Sequence, residues 1–286
     1  MAVYERIWRR YEGRLTPLGR RWTVITRYAL ADAFSSRIFT AFYVLCLLPT
    51  LAGLFVVYLS HNAGLLEQIG LTREFVGGLT ELFFQLLFTW QAIPAFFVAV
   101  IVAPSLVSAD LANNALPLYL ARPITRRDYV VGKIAVLALL LSPITWIGGL
   151  AVFGLQSSLE GGGWWRGHWR IAAAYLIGHL TWIVVISLLT LAISAWVRFK
   201  PAARGALFGI VFILAGFAEA VNGVTGSSLG DLVHLIRAIL NVVLWIFGLP
   251  LRNDLPIAAA WLTLAASCAL SLWLLHRKLR AHEVVS

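Results

Sequence analysis

Charge is what this sequence has least of. Only 13% of its 286 residues are Asp, Glu, Lys or Arg, while 60% are hydrophobic. A soluble protein clothes its surface with roughly a quarter of charged residues, so a soluble globular chain is excluded. Cysteine is nearly absent as well. Cys46 and Cys268 both lie in apolar runs; spaced for neither a disulfide framework nor a metal site, they read as small buried hydrophobes and say nothing of redox compartment. No G-x-x-x-x-G-K-[S/T] phosphate loop occurs, so any nucleotide chemistry of that kind belongs to another chain. A membrane enzyme usually gathers acids or histidines near one interface, yet there is no D-x-x-D-type cluster, no H-x-x-x-H and no repeated carboxylate in the apolar runs. Segments of about ten residues with alternating polarity, the mark of a membrane barrel, are missing too. Low-complexity sequence is confined to Gly161-Gly162-Gly163, and no internal repeat is detectable.

What is present is long apolar runs. They fall at 38–60, 83–108, 129–156, 171–197, 205–222 and 256–276, each near the roughly 20 residues that carry a helix across about 30 Å of hydrocarbon. Only helices and closed barrels satisfy their backbone in lipid. The sequence therefore predicts an all-α polytopic membrane protein of six transmembrane helices, a single transmembrane domain over 1–286. Some 35 polar and charged residues before the first run make too long an n-region for a cleavable signal, so the first span is expected to be its own insertion signal.

The net charge of +10 would suggest nucleic acid in a soluble chain. Here it follows from topology, and no nucleic-acid partner is expected. Residues 1–37 hold eight Arg against Glu5, Glu12 and Asp32. Arg122, Arg126, Arg127 and Lys133 follow the second run, Arg198, Lys200 and Arg204 the fourth, and Arg277, Lys278 and Arg280 the sixth. The opposite loops are poorer, with Glu67, Glu74 and Glu81 outweighing Arg73. The positive-inside bias then puts both termini in the cytosol, and Arg166 and Arg170 after the third run stand as exceptions.

Two segments are neither spans nor plain loops. In 20–37, Trp22, Ile25, Ala29 and Ala33 recur at helical spacing beside Arg20, Arg21 and Arg27. This suits a helix in the interface with its apolar face in the acyl boundary; a cytosolic extension of span one is the alternative. The segment 229–250 has almost the length to cross, but it carries Asp231, His234, Arg237 and Asn241 and ends at Gly248-Leu249-Pro250. A crossing would place the C-terminal cations outside. An outer amphipathic or re-entrant helix before the last span fits better.

The longest charged connection lies after span two. Asp110 is placed to favour the start of a short helix over 109–121, with Leu111, Ala115, Leu118 and Tyr119 as its apolar face. Pro117 limits its regularity and Arg122-Pro123 stops it. Thr125 is a candidate N-cap for span three. An apolar ridge with a basic rim suits docking in a groove on a soluble partner.

The stretch 120–133, Leu-Ala-Arg-Pro-Ile-Thr-Arg-Arg-Asp-Tyr-Val-Val-Gly-Lys, resembles the first cytoplasmic loop of ABC-2 type permeases, the membrane subunits of ATP-binding cassette exporters. Asp110, Pro123, Arg126, Arg127, Tyr129, Gly132 and Lys133 fit the family's pattern; Asp110 stands where Glu is commoner, and Asn113-Asn114 replaces a Gly-Thr-like pair. The resemblance implies a permease that exports an unidentified substrate, driven by ATP hydrolysis on a separate ABC ATPase that carries the ATP and Mg. It implies a second permease chain, identical or related, and residence in a bacterial inner membrane among its lipids. Asp110, Leu111, Leu118, Tyr119, Arg122, Pro123, Arg126 and Arg127 are the candidate partner-coupling residues. No cofactor or metal is expected on this chain. A non-transporting structural subunit or an integral membrane enzyme is the alternative.

Ionisable groups at membrane depth are functional suspects. His179 falls about 13 Å into span four at helical rise; an interhelical hydrogen bond and a substrate contact are its two readings. Glu219, followed by Asn222, lies in span five towards the outer leaflet. It is expected either to pair with His234 or Arg237 of the outer helix or to line a pathway. Trp164, Trp165 and Trp169 read as interfacial anchors, and Pro49, Pro94 and Pro143 as kinks.

Overall fold

The computed structural model describes residues 16–62, 64, 80–113, 124–197 and 199–280. Among them are six helical segments long and apolar enough to cross a membrane: Arg37–Ser60, Glu81–Asp110, Arg126–Glu160, Trp169–Trp196, Lys200–Thr225 and Ile257–Lys278. No strand occurs among the described residues. The chain is an all-α polytopic membrane protein.

Helix α1 (Arg21–Ser35) comes first. Ser36 then leaves helical geometry and its hydroxyl accepts from the Phe39 amide, capping α2 (Arg37–Leu45). A break at Cys46 and Leu47 leads to α3 (Leu48–Ser60), with Pro49 in its first turn, where no amide hydrogen bond is lost. Together α2 and α3 form span one. Span two is α4 (Glu81–Ala112), which runs on through Pro94 and Pro104.

Span three opens on a capping box. Thr125 Oγ1 accepts from the Asp128 amide at 3.1 Å, and the Asp128 carboxylate accepts from the Thr125 amide at 3.0 Å. Helix α5 (Arg126–Ser142) then widens into a π turn at Pro143–Ile147 before α6 (Gly148–Glu160). Proline supplies no amide, and the Thr145 hydroxyl donates back to the Leu141 carbonyl at 2.8 Å. Span four has a second π turn, Ala174–Gly178, between α8 (Trp169–Ala173), which follows the one-turn α7 (Trp164–Gly167), and α9 (His179–Trp196). The two π turns pack against one another. Bare glycines make the approach possible. A Cβ at Gly149 would sit 1.9 Å from the Tyr175 ring, and one at Gly148 would sit 2.4 Å from Thr50 Oγ1. The Tyr175 hydroxyl, fully buried, donates to the Phe84 carbonyl at 2.8 Å and pins span four to span two.

Span five is α10 (Lys200–Thr225), closed by left-handed Gly226. A 3-10 turn at Leu229–Leu232 follows, then α11 (Leu235–Phe247), closed by left-handed Gly248, then span six, α12 (Ile257–Arg280). With 13 residues, α11 extends about 20 Å at helical rise, short of a hydrocarbon core. It does not lie on a surface either: Ala238, Val242 and Val243 are buried among α12, span four and α4.

Span four is the axle of the bundle. Its apolar window is 67% buried, against 17% for each of spans five and six. Helix α1 packs along α5. Ile25 and Thr26 are buried there, with Ala29 and Ala33 against the same core. The apolar face expected to meet acyl chains is thus spent on protein, while Tyr28, Val24 and Phe34 are exposed.

Candidate functional site

Three polar constellations interrupt this apolar bundle. The first joins the facing ends of spans two and three. Asp110 lies in the last turn of α4, and its Oδ2 accepts from Lys133 Nζ at 2.8 Å and from the Tyr129 hydroxyl at 2.7 Å. Tyr129 and Lys133 reach it together because residues four apart share a helix face. The Lys133 and Asp110 side chains are 6% and 14% exposed. Gly132, between them, seats α1: a Cβ there would lie 3.0 Å from the Trp22 carbonyl, and Thr26 Oγ1 donates to the Gly132 carbonyl at 3.0 Å. One motif therefore clamps three elements.

This corrects the expected role of Asp110. Helix α4 continues past it without a break, so Asp110 does not start a separate helix. Its charge is committed to Lys133, 23 positions on. Leu111 is the penultimate residue of α4, Arg127 is exposed, and Arg126 is half-buried at the start of span three. Leu118, Tyr119, Arg122 and Pro123, and most of the 109–121 segment, lie outside the described residues.

The second constellation ties α11 to the ends of spans five and six. Asp231 is 5% exposed. Its Oδ1 accepts from Arg237 Nη1 at 2.6 Å and from Asn222 Nδ2 at 2.9 Å, and its Oδ2 accepts from Asn253 Nδ2 at 2.6 Å. Arg237 spans two carboxylates, since its other terminal nitrogen donates to Glu219 Oε1. Asn253 Oδ1 accepts from Asn241 Nδ2 at 2.9 Å. Asn222 Oδ1 accepts from the Gly230 amide at 2.7 Å, where a Cβ would come within 2.1 Å of the Ala218 carbonyl. Burial pushes the Asp231 carboxyl up, but hydrogen bonds from Asn253, Asn222 and Arg237, with the guanidinium's charge, hold it below its ordinary value.

Glu219, Asn222 and Arg237 thus meet in one knot, while His234 takes another role. Its Nδ1 accepts from the Arg237 amide at 3.3 Å as the N-cap of α11, and it makes no hydrogen bond to Glu219. Burial, then the Arg237 charge, push the imidazole below its ordinary value against the pull of Asp231 and Glu219. Three knot members, Asp231, Asn241 and Asn253, were not expected as site residues. A lone Asp beside the Gly230 turn was the available signal.

The other end of α11 explains a charge that topology does not. Arg170 donates through Nε to the Ile246 carbonyl at 3.1 Å and through Nη2 to the Trp245 carbonyl at 3.3 Å. A cation at the last carbonyls of a helix is favoured by its negative end, and here it adds to the Gly248 amide already donating to Trp245. Trp164 also departs from the anchor role. It packs inward on Phe84 and Phe153, whereas Trp165 and Trp169 are 48% and 59% exposed.

The third constellation is His179. It is completely buried, and neither ring nitrogen makes a hydrogen bond of regular geometry, although the Tyr175 and Phe88 backbone lies within its reach. The expected interhelical hydrogen bond is reduced to a contact with the Phe88 backbone of span two that falls short of regular hydrogen-bond geometry. Instead the imidazole stacks on Phe88 of span two, centroids 3.6 Å apart and planes 20° from parallel. The π turn ending at Gly178 offsets the helix there. A Cβ at 178 would meet Val243 of α11 at 2.9 Å and Phe88 at 3.1 Å, so the bare glycine lets Phe88 stack on the ring.

No group of three or more potential metal ligands occurs among the described residues. A family model described as ABC-2 family transporter protein matches residues 24–275, a stretch that opens within α1 and closes within span six. No curated protein matches the chain.

Proposed function

This chain belongs to the ABC-2 transporter family, and from that premise we propose that it is the transmembrane permease of an exporter whose ATP is hydrolysed on a separate ABC ATPase. Family membership makes it a membrane transport component. Export, the partner chains and the orientation are parts of the proposal. The observation that supports coupling is the Asp110–Tyr129–Lys133 clamp. It fixes the two ends of the connection after span two to each other and, through Gly132, to α1. A force applied by a partner to that connection then reaches spans two and three and α1 as one unit. ATP and Mg sit on the ATPase, and a second permease chain, identical or related, completes the assembly. The basic ends of the spans face the cytosol, which puts both termini there and the α11 knot outside, in a bacterial inner membrane.

Co-expression with candidate ATP-binding cassette ATPases from the same genome tests this reading. A stable complex is expected, and Leu118→Asp should reduce its recovery. A reporter that works only in the periplasm, fused after Ser286, should stay silent. Full recovery of the complex with Leu118→Asp removes the loop from the interface, and an active reporter overturns the orientation.

A further inference from the structure

A cavity of about 370 Å³ lies between spans two, four and five and α11, bounded by Phe88, Trp182, Ile186, Phe208, Phe212 and Ile239. That is within the range of about 300–1,000 Å³ common for small-molecule sites. Its lining carries no charge. Its one hydroxyl, Thr89 Oγ1, is already engaged by Gln85. Directly behind one wall is the His179 imidazole, without a regular hydrogen bond and covered by the stacked Phe88 ring.

These features belong together. A buried polar group without a well-formed hydrogen bond costs free energy and calls for an explanation. An intramembrane ionisable residue is a functional suspect by default, and π turns often mark functional sites in helices. Shut in hydrocarbon with no counter-ion, an imidazole stays neutral and offers one donor and one acceptor. Phe88 is 1% exposed, stacks on His179 and lines the cavity, so its ring is the barrier between the two.

We propose that this cavity binds a neutral amphiphile, a hydrophobic body bearing one uncharged hydrogen-bonding group, and that His179 receives that group when the Phe88 ring swings aside. The uncharged lining excludes a charged headgroup, and the aromatic walls suit an aliphatic or aromatic body. The ligand is the cargo only if the transport reading above holds; binding itself is a property of this chain.

The test uses the purified full chain in lipid nanodiscs without an ATPase, so its outcome is independent of the export reading. The probes are a dodecanol carrying a photoreactive diazirine and the matching alkane without the hydroxyl. Labelled peptides are read by mass spectrometry. The alcohol is expected to label Trp182–Ile186 and the Phe88–Phe97 stretch saturably. Labelling of exposed residues of span one, such as Phe55, serves as the unsaturable control. His179→Phe keeps the stack and removes the nitrogens, and should weaken the alcohol roughly three- to tenfold, about one hydrogen bond at membrane depth, while the alkane is unchanged. Phe88→Ala should increase alcohol labelling, and it reports on the site even if His179→Phe fails to fold. Competition by unlabelled dodecanol but not by diacylglycerol identifies a dissolved amphiphile as the source, and the reverse a bilayer lipid; either supports the site. Unsaturable labelling of the cavity, or equal affinity of alcohol and alkane in the unaltered chain, overturns the proposal.

Discussion

Arg170, in the first turn of span four, holds the Ile246 carbonyl at 3.1 Å, so a cation from one span closes the end of a helix 76 positions away. The geometry is reinforced by Gly248, where the chain turns left-handed against the guanidinium. Helix α11 is thereby fastened at both ends, by Arg170 at its C-terminus and by the Asp231 knot at its start.

Removing the first fastening should loosen α11 from its C-terminal end. Arg170→Ala is expected to cost about 0.3–1 kcal/mol, the range for an exposed cation at a helix C-terminus. Hydrogen exchange of 243–249 should rise while that of α9 stays unchanged. Equal exchange in both variants would show that apolar packing alone seats the helix.

The clamp between spans two and three should show the asymmetry of buried ion pairs. Lys133→Met or Asp110→Leu alone leaves one charge stranded and should cost about 3–5 kcal/mol, whereas the double variant should recover most of that loss. Unfolding of the purified protein in mixed micelles measures the cycle. Additive single and double effects would mean that the two charges do not depend on each other.

The contact of Tyr175 with Gly149 allows no side chain. Gly149→Ala would drive a methyl into the ring and should cost about 1–3 kcal/mol as overpacking. Adding Tyr175→Leu should relieve that clash while giving up the hydrogen bond to Phe84. A melting temperature for the pair above that of Gly149→Ala alone confirms the relief.

Acid should release the other end of α11 through His234. Its folded value is depressed, so its contribution is complete above the ordinary histidine value of about 6.5 and falls as pH drops below it. The structural reason is direct: Nδ1 accepts the Arg237 amide, and a protonated ring nitrogen accepts nothing. Exchange at 235–239, corrected for intrinsic rate, should rise between pH 7.5 and 5.5. His234→Asn, which keeps a capping acceptor, should flatten the profile. Asp231 contributes little in that window, because its depressed value defers any loss to pH below about 3.9.

The six spans were legible because twenty apolar residues in lipid have so few alternatives. In the 229–250 segment, a short helix stopping at Gly248 was legible from the glycine and the flanking polar residues. The relationships among side chains were harder to read. Asp110 looked like a helix cap because capping is a local rule, and its partner Lys133 stands on the next span. Arg170 looked like an orientation anomaly because charge bias is counted over loops and does not register a guanidinium turned towards carbonyls 75 positions on. His179 was expected to bond across helices, but a π turn, which no residue pattern announced, put Phe88 against its face. The fold follows from polarity along the chain, whereas the constellations depend on which side of each helix meets which neighbour.

Each π turn has a consequence for comparing this chain with its relatives. A π turn accommodates one residue more than α-helical winding would use, and one residue is about 100° of rotation. The number of residues between Trp169 and Trp196 therefore decides which side chains face inward after the turn. A relative one residue shorter within Ala174–Gly178 would carry an unbroken helix, and its alignment gap would separate the two halves of span four. Aligned without that gap, its counterpart of Trp182 would be assigned to the wrong wall. In this family a single-residue gap inside a span is thus a change of facing, as consequential as a substitution, and is to be scored as one.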